Sequence, residues 1–318
     1  MAQPVIMIPE AERIVISVIT DNLADVTRPD CKIAHRLRRT ASPLDIAAHG
    51  EHGLAYRVTT VVEGEAHCCL FDFGSDAHGV LKNMKLLNVD FGEVEALAIS
   101  HDHWDHQAAL IEILKAKKGE WRDDLALYVG EGFFEGTYLK AADGSVASLL
   151  ALNRNELEAL GVVRIVETKE PTSIIPGAYL SGYVEQVTEY EAIPLSFVAR
   201  KGAEYVPETF SGEQAVFMNA RGKGLVVLSA CAHRGIINTV RQAQRITGIE
   251  RVHMVIGGFH LTGADPGLIQ RTIADMKAIN PEYVVPTHCT GFETIAAFAQ
   301  EMPDQFILNT AGTTYVVD

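Results

Sequence analysis

The chain has little cysteine, five residues in 318. Cys31, Cys68, Cys69, Cys231 and Cys289 make an odd number, two are adjacent, and no Cys-x-x-Cys occurs. That excludes a disulfide framework and a cysteine-quartet zinc module, and it fits a reduced, cytoplasmic protein. Basic residues are also scarce: 27 Lys and Arg stand against 41 Asp and Glu, a formal charge of −14. A nucleic-acid partner is excluded on this ground, because a phosphate backbone needs clustered cations. Small phosphorylated substrates remain open, since a bound metal brings its own positive charge. No apolar run reaches the roughly 18–20 residues of a membrane span. The opening MAQPVIMIPEAERIV lacks the basic and apolar segments of a signal peptide. The expectation is therefore a chain with no membrane partner.

What is present reads as alternating strands and helices. The β-branched run at 13–20 ends at Asp21-Asn22, a strand followed by a turn. Residues 21–53 read as a long connection with room for a short helix. Strands are expected at 54–62 and 67–71, a helix at 76–87 with Asp76 as its N-cap, and a strand at 94–100. A helix over 108–117 stops at Gly119, and a strand follows at 125–129. Residues 130–210 are the least legible, with a helix at 155–160 among short strands. From 225 onward, strands at 225–229, 252–256 and 283–285 alternate with helices at 236–247, 266–279 and 292–301. Strands at 306–308 and 313–317 close the chain. The pattern is α/β. No linker marks a boundary, so one domain over 1–318 is expected.

The densest chemistry lies at the end of the 94–100 strand. His101-Asp102-His103-Trp104-Asp105-His106 puts three histidines and two aspartates into six positions. Neither type favours a strand. Neutral imidazole and carboxylate oxygen are, however, the ligands that zinc, iron and manganese accept. Three further strand ends also deliver histidine: His233 after 225–229, His260 after 252–256, and His288 after 283–285. Ligands bind at that edge of α/β sheets. His35, His49, His67, His78 and His253 carry no such pattern and read as ordinary surface or core residues, with His253 inside a strand.

These residues resemble the metallo-β-lactamase superfamily, whose His-x-His-x-Asp-His motif matches 101–106. Phe71-Asp72-Phe73-Gly74 is similar to its strand-end Asp-x-Gly element. Asp21-Asn22, Glu51-His52-Gly53-Leu54, the run 231–238 from Cys231 to Asn238, Gly257-Gly258-Phe259-His260-Leu261 and 286–291 resemble the dihydropterin-ribofuranosylaminobenzene 5′-phosphate synthase-like branch. The resemblance covers most of the chain and is weakest over 130–210. It implies a four-layer αββα sandwich with a metal site at one edge, and a variable 130–210 segment on the substrate side.

The resemblance further implies one metal on His101, His103 and His233, and a second on Asp105, His106 and His288. Asp72 would support them as an outer carboxylate or weak ligand. Cys231 stands where many members carry a bridging aspartate, so either its thiol or a water bridges. The expected cofactor is zinc, one or two per chain, with iron or manganese as alternatives. The expected activity is that of a hydrolase or transferase using a hydroxide shared by two metals, on a phosphate- or pyrophosphate-bearing small molecule such as a pterin. Asp105, His260 and Asp72 are the catalytic candidates, His260 as a donor to a leaving group. Arg234, His52 and Asn22 are the substrate-binding candidates. A homo-oligomer stays open. Two rival readings are a diiron oxidoreductase on the same fold and a non-catalytic metal-binding or sensory domain.

Overall fold

The computed structural model describes residues 5–37 and 47–318. The strand Arg13–Thr20 forms where the sequence places it, and its inward residues Ile14, Ile16 and Val18 are fully buried. It lies in an eight-stranded sheet with the order 164–168, 126–130, 94–98, 65–73, 55–62, 13–20, 314–317 and 34–35. The first four of these run parallel, the others antiparallel. A seven-stranded sheet holds 172–175, 178–180, 216–220, 224–228, 252–258 and 283–287, with Glu10–Ala11 beside 216–220. Its parallel strands are buried end to end, and so they read as continuous apolar runs.

Three apolar clusters define the layers. One joins Val18, Tyr56, Val58 and Phe71 of the first sheet to Met218, Leu228, Met254 and Val285 of the second, so the sheets pack face to face. Another covers the first sheet's outer face with the helices Ala77–Leu86, Leu110–Ala116 and Arg154–Leu160. The third covers the second sheet's outer face with Ile236–Thr247, Pro266–Ile279 and Phe292–Glu301. This is the αββα sandwich. Residues Thr137–Lys140, Val146–Ser148, Phe197–Lys201 and Glu204–Pro207 add a small four-stranded sheet.

Asp76 caps its helix as expected, accepting from the His78 and Gly79 amides. Three expectations need correction. The 306–308 run is not a strand: Phe306 makes a single bridge to Val284, and Lys32 takes carbonyls of this stretch instead of a neighbouring strand doing so. The expected 108–117 helix is present as Leu110–Ala116, but a separate turn, Trp104–Gln107, precedes it on the histidine cluster itself, where no helix is expected. No helix occurs at 21–37 or 47–53; residues 38–46 of that connection lie outside the described residues.

The helix Ile236–Thr247 has no cap of its own, because it starts at Gly235. The carboxylate of Glu191 supplies it from a distant segment, accepting from the Ile237 and Asn238 amides at 2.8 Å each. Burial pushes this carboxyl up to about 7. Glu191→Ala is expected to cost about 1–2 kcal/mol, the usual worth of an N-cap. A urea midpoint unchanged from that of the wild type would refute the assignment.

Candidate metal centre

The parallel strands of both sheets end at one edge, and the four histidine-bearing loops converge there. His101 Nε2 lies 3.3 Å from His233 Nε2. Ligand atoms of His101, His103 and His233 fall within 4.8 Å of one another. Beside them, Asp105 Oδ2 lies 3.1 Å from His288 Nε2, 3.7 Å from His106 Nε2 and 3.4 Å from His52 Nε2. Two ligands on 2.0–2.1 Å bonds at the tetrahedral angle sit roughly 3.4 Å apart. The donors are therefore spaced as a metal's ligands are. The buried Nε2 of His103 has no hydrogen-bond partner at all, and an orphaned acceptor in a protein interior is costly unless something else satisfies it.

The far side of each ring decides which nitrogen faces inward. Ser100 donates both its amide and its hydroxyl to Asp72, at 2.7 and 2.8 Å, so its oxygen is left to accept from His101 Nδ1 at 2.8 Å. His106 Nδ1 donates to the buried Asp72 at 2.7 Å. His288 Nδ1 donates to Asn22 Oδ1 at 2.9 Å. Each bond leaves the Nε2 lone pair pointing into the centre, which is how outer partners orient metal-binding imidazoles. Asp72, Ala232, His260 and His288 all hold left-handed backbone, with φ of 60°, 54°, 47° and 48°. Strain of this kind in residues other than glycine concentrates at functional sites.

Charge is concentrated at the second group. Against its own burial, His106 is pushed up to about 9 by Asp105 and Asp72. Asp105, which burial would raise, is held well below the carboxylate range by His106 and His288. A position that recruits a proton so strongly is one that favours a cation. The first group behaves oppositely. Burial, then the neighbouring imidazoles, lower His101 and His233 well below normal, and burial brings His103 down to about 3.

This yields a stability prediction for chelator-treated protein. His103 refuses a proton until about pH 3, whereas the unfolded chain takes one near 6.5. Stability from this group is present above pH 6.5 and lost as pH falls towards 3, and His101 and His233 act in the same direction. The raised His106 contributes below 6.5, and its contribution is lost as pH rises through 9. A maximum near pH 6.5 with the steeper limb on the acid side is expected in urea midpoints. A flat acid limb would contradict it.

The structure brings together His101, His103, Asp105, His106, His233 and His288, with Cys231 Sγ 3.2 Å from His106 Nε2. Asp72 sits behind them on Ser100 and His106. His52, exposed at the rim, stacks on His288 with ring centroids 4.7 Å apart, brought there by a loop whose Leu54 amide bonds the Asp105 carbonyl. His260 packs on His233 at 4.0 Å. Two of the substrate-binding candidates are held by partners within the protein. The Arg234 guanidinium is buried, each of its nitrogens holding one partner among the Val184 carbonyl, the Thr209 carbonyl and the Tyr183 hydroxyl, and it lines neither cavity beside the imidazoles. Asn22 is occupied by His288, donating to its carbonyl and accepting from its ring.

Four residues were not found by sequence reasoning. Phe210 stacks flat on His233, centroids 4.1 Å apart, and Phe197 stacks on His103 at 5.4 Å. Both come from the 130–210 region and roof the first group. Glu213, pushed up to about 7 by burial, accepts from the His233 and Arg234 amides. Asp21 accepts from the His288 amide and from Asn309. Only Asp21, beside the turn after the first strand, left any signal in the sequence.

No family model matches the chain. Among solved structures, a metal-dependent hydrolase of the β-lactamase superfamily superimposes with a TM-score of 0.71 at 22% identity, covering 95% of this chain and 98% of its own. The metallo-β-lactamase fold protein YhfI of Bacillus subtilis gives 0.50 at 13% identity, covering 95% and 99%. The class is thereby defined as the metallo-β-lactamase fold, bearing candidate His, Asp and Cys metal sites. In sequence, the chain is similar to the 7,8-dihydropterin-6-methyl-4-(β-D-ribofuranosyl)-aminobenzene-5′-phosphate synthase of Methanocaldococcus jannaschii, 29% identical over 266 residues that cover 82% of this chain and 88% of the relative. An uncharacterised protein of the same organism is 25% identical over 81% of this chain and 92% of its own.

Proposed function

We propose that the chain is a metal-dependent transferase or hydrolase acting on a phosphate- or pyrophosphate-bearing small molecule of the pterin class. The observation that carries this is the juxtaposition of the His101/His103/His233 group with Asp105, His106 and His288, the rings of His101, His106 and His288 being held with Nε2 inward. Zinc is the first candidate, one or two ions per chain, with iron or manganese as alternatives. Divalent ions bound there would acidify water and neutralise charge on an anionic oxygen. The chain's own residues do the rest. Asp72, Ser100 and Asn22 hold the imidazoles in orientation, Phe197 and Phe210 exclude water from the first group, and Asp105 concentrates negative charge at the second.

The relative's name describes a product with both a pterin and a phosphate, which favours this substrate class. Two cavities of about 210 Å³ each flank the imidazoles, one bordered by His101 and Asp102, the other by His233 and His260. Two sites for two reactants support transfer over simple hydrolysis. Asp102, raised to about 6 by burial and bonded by Thr137, faces the first cavity. On this reading the chain is one catalytic unit, with 130–210 on the substrate side. It works in the cytoplasm on diffusible small molecules, without nucleic acid or membrane, as a monomer or a homo-oligomer. Among the described residues, no helix is long and apolar enough to cross a membrane.

The test is elemental analysis of purified protein together with a panel of phosphodiester, pyrophosphate, lactone and thioester substrates. The expected result is up to two metal ions per chain and chelator-sensitive release of phosphate or pyrophosphate. Turnover of lactones or thioesters alone would overturn the substrate class, and metal content without any turnover would favour a sensory domain.

A further inference from the structure

Three groups near the centre have no part in that function. Cys231 and Cys289 are both buried and free, with their sulfurs 3.3 Å apart. Ligand atoms of Cys231, Cys289 and His260 lie within 4.8 Å of one another. We propose that these three residues form a separate, open metal position of two thiolates and one imidazole, suited to a thiophilic divalent ion such as zinc. This goes beyond the imidazole and carboxylate groups described above and adjoins them through Cys231, whose sulfur also faces His106 at 3.2 Å.

The backbone is shaped to bring these donors together. A side-chain carbon at Gly258 would fall 2.6 Å from Cys289 Sγ and 2.3 Å from the Ala230 carbonyl, so only glycine on this strand admits the thiol. His260 follows directly in left-handed backbone, φ 47°, and its buried Nδ1 has no hydrogen-bond partner. Two small buried thiols need no explanation beyond packing. Packing alone does not account for a histidine in left-handed backbone whose ring reaches the Cys289 thiol. Of the three donors His260 borders a cavity of about 210 Å³, beside His233, Phe259 and Leu261, from which a fourth ligand would approach. Three protein ligands and one open position describe a reactive zinc site rather than a closed structural one. Thiolates select zinc over the harder magnesium, calcium or manganese. The binding step balances as one divalent ion taken up and two thiol protons released to solvent. On this assignment His260 holds metal instead of donating a proton to a leaving group.

The test uses the full chain, stripped by chelator and titrated with cobalt(II) alone. A near-ultraviolet thiolate-to-cobalt absorption is expected, falling to about half in Cys289→Ser or Cys231→Ser and vanishing in the double variant. His103→Ala should retain it, and His260→Ala should weaken its formation at least tenfold. Should the serine variants not fold, alkylation of the wild-type chain answers the question instead: metal should protect both thiols from iodoacetamide. Absence of the band, a band unchanged by Cys289→Ser, or equal alkylation of Cys289 with and without metal would overturn the assignment. Each of these leaves phosphate-releasing activity, and so the proposed function, to stand or fall on its own assay.

Discussion

His103→Ala is expected to lower kcat/KM by on the order of 10³, the loss of about 4 kcal/mol of transition-state stabilisation that a bound divalent ion provides. Metal content should fall in step, because the buried His103 Nε2 of the first group has no hydrogen-bond partner among the described residues. The stability of the metal-free variant separates this from damage to the core. The wild-type imidazole is buried, unsatisfied and resistant to protonation down to about pH 3. Removing it should therefore flatten the acid limb of the stability curve while activity collapses. An alanine variant that keeps its metal, or that loses stability most at acid pH, would show that His103 is a packing residue stacked on Phe197 and nothing more.

Asp72→Ala should be nearly as severe by a different route. Asp72 touches no substrate cavity; it accepts from the Ser100 amide and hydroxyl and from His106 Nδ1. Its loss leaves three buried donors unpaired, one of them on a histidine strongly disposed to be charged. Removing one partner of a buried ionic contact costs about 3–5 kcal/mol. Loss of an outer carboxylate typically weakens metal binding by about 10–100-fold. Both should be read on one preparation, stability by urea melts in chelator and affinity by competition with a chromogenic chelator. Asp72→Asn should fall between: a carbonyl oxygen in place of Oδ2 can still accept from the Ser100 hydroxyl and His106, but the amide nitrogen then meets the Ser100 amide and accepts nothing. Metal affinity unchanged in the alanine variant would remove Asp72 from the centre.

Local physics made much of the fold legible. The helices Ile236–Thr247, Pro266–Ile279 and Phe292–Glu301 and the strand Arg13–Thr20 appear with the bounds read from periodicity and caps. Apolar spacing, Asp76 and Pro266 are signals carried within a few residues. The misreadings are places where distant chain decides. Phe306 has an apolar neighbourhood but only one bridge to Val284. A short helical turn, Trp104–Gln107, stands before the expected helix because the histidine loop turns directly into it. Arg234 looked free to hold a phosphate; the Val184 and Thr209 carbonyls that occupy it lie 50 and 25 residues away.

The sequence alone determined the α/β class, the strand that feeds the histidine run, and the residue types able to hold a metal at 101–106, 233 and 288. These follow from side-chain periodicity and donor chemistry, which are local. Only the tertiary structure decided that the loops meet, that Asp72, Ser100 and Asn22 turn each ring inward, that Phe197 and Phe210 roof the first group, and that Cys289 stands beside Cys231. Those contacts join residues far apart in the chain, within a sheet for Cys231 and Cys289 and across the two sheets for Asn22 and His288. They exist because two apolar sheet faces pack together, and no short stretch of sequence encodes which side chains that packing brings edge to edge.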